Sequence, residues 1–346
     1  MGFPILKLPL LAIHAVISNL QLDEIIDFSL CSSKCKRVIK SIKKQPYKSM
    51  EIRIFFGYPD FQFMYEKTKG PCWYFNNLEV EKVLRKSKRG EKRKKYEIRK
   101  IGGIKIKVMK CEENSLFSKQ INELQLKVIF DFLLDLFNNI PICRYSSTLR
   151  VNQLNITPEY FGLKKCSSIF YSFQGMPVPD DELHYLFENI QVSEDITING
   201  EVSDEFQLNT AKFSTNELNI RPATWITRDI FLSLNCSRMC LDYVTLTMND
   251  FQSFVLQWLS SENTSFVWLQ MSFTGNHEPI DFSQFQTQQW NPKVRERYYD
   301  LSYSIFSRGR KIDCLDGRDI RRKDGKLGTI GYFRRKHYFV VWNQTN

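Results

Sequence analysis

Hydrophobic positions recur at helical spacing along the first forty residues. Ala12, Ile13, Val16, Ile17 and Leu20 fall on one stripe of residues 8–20, and Pro9 suits the opening turn of that helix. A second stripe follows Asp23, which reads as an N-cap, and carries Ile25, Ile26, Phe28 and Leu30. A third, basic helix is predicted from about Ser33 to Ile42, ahead of Pro46. Three helices this short are marginal on their own, so the pattern predicts a unit that needs a partner surface.

Beyond Met50 the period shortens to two. Glu51 to Phe55 alternates, Cys72 to Phe75 is aromatic, and Ile104 to Val108 alternates after the pair Gly102-Gly103, with Lys105 and Lys107 predicted on the solvent face. A helix is predicted at about Leu78 to Lys86 and a longer amphipathic one at Gln120 to Phe137, carrying Leu124, Val128, Ile129, Phe132, Leu133, Leu136 and Phe137.

After Pro141 a loose repeat sets in. Strand-like cores start at Ile169, Ile196, Leu218, Val244 and Val267, at intervals of roughly 22–27 residues. Helices are predicted between them at about Asp180 to Ile190, Thr224 to Leu234 and Asn249 to Ser261. The predicted fold class is α+β or α/β: three N-terminal helices, then a degenerate strand–helix array like a leucine-rich-repeat solenoid, without its Leu/Asn ladder, and a C-terminal β-hairpin. A doubly wound α/β domain with irregular crossovers is the alternative. The hairpin is read from Asp324-Gly325 and from the strand Phe339 to Trp342. Gly325, Gly328 and Gly331 stand in that hairpin and not before a helix, which argues against a phosphate-binding loop. By alternation, Phe170, Thr197, Asn219, Thr245 and Trp268 share the exposed strand face of the array and are the candidate substrate contacts.

Composition and charge refine this picture. The chain has 346 residues, 42% of them hydrophobic, with 27 Phe and 15 Tyr, which excludes disordered and mini-protein readings. The net charge of +11 is local: Lys82 to Lys110 alone carries +12, leaving the rest of the chain at −1. Its densest part, Arg85 to Lys95, reads as a solvated loop, with a nucleic-acid-binding strip over 82–110 as the alternative function. The nine cysteines are scattered, without Cys-x-x-Cys or nearby His, so reduced thiols are expected, with no metal, no cofactor and an intracellular location, cytoplasmic or nuclear. No run approaches the length of a membrane span, and no membrane partner is expected. With four His, no Gly-x-Ser-x-Gly, no P-loop and no His-Glu-x-x-His, nothing assembles a catalytic site, and the chain is expected not to be an enzyme.

The N-terminal pattern Leu8-Pro9, Ala12-Ile13, Val16-Ile17, Leu20, Ile25-Ile26, Phe28-Ser29-Leu30 and Cys31-Ser32 leading to Lys36-Arg37 resembles the F-box, with Cys35 where many F-boxes carry Trp. The remainder is similar to the F-box-associated domain of large nematode families. That likeness is carried by Lys100-Ile101-Gly102-Gly103, Leu133 to Phe137, Val244 to Trp268, Trp290-Asn291-Pro292 and Asp319 to Gly325. The resemblance implies an F-box at 1–46, a mixed region at 47–140 containing the basic loop 82–100, and an F-box-associated substrate-binding domain at 141–346. It further implies a non-catalytic substrate receptor of a Skp–cullin–F-box ubiquitin ligase. Its adaptor contacts would be Leu8, Pro9, Ala12, Ile13, Val16, Ile17, Leu20, Ile25 and Leu30, and its partners a Skp-type adaptor, through it a cullin, and a protein substrate. Nucleic acid ranks below these as a partner.

Overall fold

The computed structural model describes residues 7–42, 45–66, 68–85, 95–111, 114–148, 156–208, 214–275, 279–301 and 310–342. The densest part of the basic block, residues 86–94, lies outside them. The chain divides into two compact units, Met1–Cys166 and Ser167–Asn346.

The first unit opens with α1 (Leu10–Ile17), α2 (Leu22–Cys31) and α3 (Ser33–Lys40). Pro9 sits at the N-cap of α1, its carbonyl accepting from Ile13 N–H at 3.0 Å. The start of α2 differs from the sequence reading. Gln21, not Asp23, is the N-cap, because Gln21 and Glu24 form a reciprocal capping box, and Asp23 lies inside the first turn. Ser32 caps α3 by accepting from Cys35 N–H at 3.1 Å. A mixed sheet follows, built from β1 (Ser49–Phe55), β2 (Tyr58–Met64), β3 (Lys69–Phe75), β4 (Glu97–Ile101), β5 (Ile104–Lys110), β6 (Leu116–Ser118) and β7 (Ile142–Thr148), with α4 (Leu78–Arg85) after β3 and α5 (Glu123–Leu136) before β7. The strand order is β7-β1-β2-β3-β6-β5-β4. β7 and β6 pair in parallel with β1 and β3, and the other neighbours are antiparallel.

Helix α5 supplies the apolar cover of this unit. Leu126, Ile129, Phe130, Leu133 and Leu136 are buried, and Phe130 meets Phe61 of β2 and Phe161, with ring centroids 5.7 and 4.8 Å apart. Each fully buried side chain of this kind contributes about 1.5–3 kcal/mol of transfer free energy.

The second unit contains β8 (Lys165–Pro177), α6 (Asp180–Asn189), β9 (Gln191–Glu201), β10 (Glu217–Arg221), α7 (Arg228–Ser233), β11 (Arg238–Val244), α8 (Met248–Ser260), β12 (Trp268–Phe273), β13 (Thr287–Gln289), β14 (Tyr298–Asp300), β15 (Lys311–Asp313), β16 (Arg318–Arg321), β17 (Leu327–Phe333) and β18 (Lys336–Trp342). The strand–helix alternation expected from the sequence is present, and β9, β10, β11 and β12 pair in parallel, in that order. The ladder then reverses: β18 pairs antiparallel with β12, and β17, β16 and β13 continue antiparallel. The observed architecture is therefore α+β with a large mixed sheet.

One strand is displaced from its expected place. The sequence pattern starts the fourth core at Val244, but β11 ends there. Met239 and Leu241 are the fully buried residues that register it against β10 and β12, and Thr247 is already the N-cap of α8, accepting from Asp250 N–H at 3.3 Å. The Asp324-Gly325 turn forms as expected. Gly325 takes φ of 89°, a value that favours glycine, and Arg322 N–H donates across it to the Lys326 carbonyl at 2.9 Å.

Helix α8 packs on one face of the sheet. Phe251 and Val255 are fully buried, and the Trp258 and Phe339 rings lie 5.0 Å apart, edge to face. The opposite face at that end is covered by β14 and β15, whose Tyr299 and Ile312 join Leu301, Cys314, Trp268, Tyr338 and Val340 in a buried cluster.

Candidate functional site

The three N-terminal helices sort the expected adaptor contacts into two sets. Ile13, Ile17 and Ile25 point inward, forming a core with Leu22, Ile26, Cys35 and Ile39. Pro9 is exposed, Val16 is 39% exposed, and Leu8, Ala12, Leu20 and Leu30 are half-buried. Leu11 is 83% exposed, the most exposed large apolar side chain among the described residues, and it falls off the periodic stripe. An apolar side chain so open on a short helix is the kind of feature that marks a contact surface when it has apolar neighbours. Cys35 lies in the inner set, where its Sγ accepts from Ser32 Oγ at 3.1 Å.

This helical unit is not free-standing, and the basic segment helps to hold it. Arg99 of β4 places Nε 2.8 Å from Asp27 Oδ1, and Lys110 of β5 places Nζ 2.8 Å from Asp23 Oδ2. From the other side, Lys36 and Lys40 of α3 both reach Asp135 of α5 at 2.5 Å, and the Asn138 amide donates to the Lys40 carbonyl at 2.6 Å. Hydrogen bonds from the two lysines hold the Asp135 carboxyl below its usual range. Burial raises Asp27, and the carboxylates of Asp23 and Glu97 add to that against the opposing charge of Arg99. The partner surface that the short helices require is thus supplied within the unit itself, while Pro9, Leu11 and Val16 stay exposed.

The five expected substrate contacts do not form one surface. Thr197 and Asn219 are register partners on β9 and β10, and Asn219 in turn faces Cys240 on β11; Thr197 is buried and Asn219 half-buried. Trp268 shares their face but is buried in the cluster under β14 and β15, so it is core rather than surface. Thr245 is exposed but lies beyond the end of β11, where its hydroxyl donates to the Thr224 carbonyl at 2.9 Å. Phe170 is half-buried on β8.

A crevice that the sequence reading did not locate opens at the carboxyl ends of neighbouring strands. Phe173 of β8, Asn199, Gly200 and Glu201 of β9, Arg221 of β10 and Tyr243 of β11 line it, and it encloses about 460 Å³. Its shape depends on backbone features. The Val178 N–H donates to the Glu201 carbonyl at 2.8 Å. A Cβ at position 200 would sit 3.0 Å from the Phe173 Cβ, so glycine keeps that wall close. Tyr243 stands at φ of 59° where β11 breaks register with β12. Ligands in open α/β sheets bind outside the carboxyl ends of the strands. Sequence periodicity places residues on faces but says nothing about which strand ends lie side by side, which is why this site was missed.

Residues 5–45 match the F-box domain family, and residues 205–271 match the F-box associated family. The chain is an F-box protein with an F-box-associated domain. In this F-box protein the first match covers all three N-terminal helices, and the second spans β10 to the middle of β12, including Arg221 and Tyr243. Two uncharacterized proteins of Caenorhabditis elegans are similar to it nearly end to end. One is 24% identical over 367 aligned residues, covering 99% of this chain and 78% of the relative; the other is 23% identical over 361, covering 99% and 79%. No solved structure matches it. Among the described residues no group of His, Cys, Asp and Glu could hold a metal ion, and no helix is long and apolar enough to cross a membrane. All nine cysteines are free thiols, and burial pushes Cys236 and Cys314 up to about 11.

Proposed function

We propose that this F-box protein is the substrate-recognition subunit of a Skp–cullin–F-box ubiquitin ligase, acting in the cytoplasm or nucleus. Its F-box docks a Skp-type adaptor, which links it to a cullin, and its C-terminal domain holds a protein substrate. The chain itself transfers nothing; it brings the substrate close to the transfer chemistry, which raises effective concentration. The observation that carries this reading is the set of apolar side chains left exposed on the first helix and its cap, Pro9, Leu11 and Val16, with half-buried Leu8, Ala12, Leu20 and Leu30, on a core of Ile13, Ile17 and Ile25. Such a set suits helix-in-groove recognition, in which apolar anchors on one partner fill an apolar groove on the other.

Co-expression with a Skp-type adaptor tests it. A one-to-one complex is expected, lost on Leu11→Asp with Val16→Asp; absence of any complex with the unaltered chain overturns the reading.

A second reading has its own observation. Lys100 and Lys105 face each other directly across β4 and β5, both exposed, with Lys107 beside them. Like charges in such cross-strand pairs are destabilising, and a polyanion would relieve them. Nucleic-acid binding through this strip predicts an affinity for an RNA homopolymer that falls steeply with salt and survives the Leu11/Val16 change. Salt-independent or absent binding removes it.

A further inference from the structure

The crevice at the carboxyl ends of β8 to β11 carries a cation, Arg221. Among the described residues no carboxylate pairs with Arg221. Its side-chain partner among the described residues is Tyr243: Nη2 donates to the Tyr243 hydroxyl at 3.3 Å, and the guanidinium carbon lies 5.4 Å from the ring centroid. The pair holds the fork over the crevice, since an arginine stacked on an aromatic face keeps its planar donors oriented outward. Tyr243 is 45% exposed and reaches this position through a left-handed backbone, fixed by its own N–H donating to Ser272 Oγ at 3.0 Å. For a bulky side chain that conformation is strained, and such strain persists where the surroundings enforce it. Next to Arg221 in register stands Asn199 on β9, whose carboxamide makes no hydrogen bond with the described residues.

We propose that this crevice binds an extended segment of the substrate protein by the carboxylate of an Asp or Glu side chain. The inference rests on the substrate-receptor reading and names the chemistry of the substrate for it. A guanidinium fork, a carboxamide and a phenol hydroxyl converging on one opening are matched by a planar acceptor with two oxygens, and arginine meets a carboxylate through two parallel hydrogen bonds. The charge selects a single negative group. Arg221 is the one cation among the lining residues, and Glu201 lines the same crevice, so a phosphate carrying close to two charges would be underpaired and repelled. The volume of about 460 Å³ falls within the roughly 300–1,000 Å³ of ligand pockets. The exposure of Tyr243 leaves the crevice open along its rim, which suits a chain passing across it better than an enclosed small molecule.

The test uses the full chain, alone and with a Skp-type adaptor, against a randomised peptide library displayed on phage, followed by synthetic peptides of the enriched sequence. Enrichment of Asp or Glu at one fixed position is expected. The synthetic peptide should lose affinity about tenfold or more when that residue becomes Gln or Asn, as loss of a charged hydrogen-bonded pair implies. Arg221→Gln should weaken the acidic peptide to the level of its amide counterpart, Arg221→Lys should fall between, and Asn199→Ala should weaken it with the thermal midpoint unchanged. Enriched peptides without a common acidic position, no enrichment at all, or binding indifferent to Arg221 overturns the proposal. Tighter binding of a phosphoserine counterpart overturns the choice of a carboxylate. An adaptor complex that forms while acidic peptides fail to bind sinks this inference and leaves the receptor reading standing; acidic-peptide binding without an adaptor complex does the reverse.

Discussion

Leu11 and Ile17 lie six residues apart on α1 and do opposite work. Ile17 is fully buried, so Ile17→Ala should cost about 2–4 kcal/mol, the loss of a packed side chain plus the cavity it leaves. Chemical denaturation of the full chain measures this. Leu11 is open, and Leu11→Asp should leave stability within about 0.5 kcal/mol while abolishing the adaptor complex, a split that only a surface contact produces. Periodicity recovered Ile13 and Ile17 but could not say which residues of an apolar stripe face inward, because both faces of α1 are apolar and only packing separates them. A second residue-scale test lies in the C-terminal unit. Arg295 and Asp319 form a buried pair at 2.7 Å, their side chains 1% and 4% exposed, and the same carboxylate oxygen accepts from Thr329 Oγ1 at 2.7 Å. Asp319→Ala should therefore cost about 3–5 kcal/mol, since it strands a buried guanidinium. No local pattern around residue 295 or 319 announces this pair; the pairing of β16 with β17 supplies Thr329.

At the scale of elements, helix ends and helix clasps are the parts most open to test. Thr247 opens α8 with a reciprocal box to Asp250, and Thr247→Ala should cost about 1 kcal/mol in thermal or chemical unfolding. Clasping of α3 to α5 through Lys36, Lys40 and Asp135 makes one contribution pH-dependent. The carboxyl of Asp135 is held below its unfolded value, so the contribution is fully present above the ordinary carboxylate range and fades as pH falls through the lowered folded value. Its size is small, because Asp135 is 46% exposed and such surface pairs contribute about 0–1 kcal/mol. The stability advantage of the unaltered chain over Asp135→Asn should be constant above neutrality and shrink toward zero only on the acid side of about pH 4. The helices α5, α6 and α8 were legible from their 3.6-residue period. The end of β11 was not, since the residues after it are still β-branched and apolar, and only the in-register partners on β10 and β12 mark where the ladder stops.

For the whole molecule, the charge changes meaning. In sequence the stretch Lys82 to Lys110 is one block, but the fold divides it: Arg99 and Lys110 neutralise Asp27 and Asp23 of α2, while Lys100, Lys105 and Lys107 remain open on the β4–β5 face. Replacing residues 86–94 with a Gly/Ser linker should lower the isoelectric point and leave the thermal midpoint and the adaptor complex unchanged, because β4 and β5 are fixed by their own ladder and by Tyr96 donating to Glu81 at 2.7 Å. A large loss of stability would show that the block is structural. The sequence by itself determined the F-box, the alternation of strands and helices after Pro141 and the C-terminal hairpin, because these depend on local period, capping and turn chemistry. The tertiary structure alone decided that the strand ladder turns antiparallel after β12, that Trp268 is core, and that Asn199, Arg221 and Tyr243 share one crevice. Those facts depend on which strands lie side by side, and burial and unpaired charge are properties of that arrangement rather than of any local run of residues.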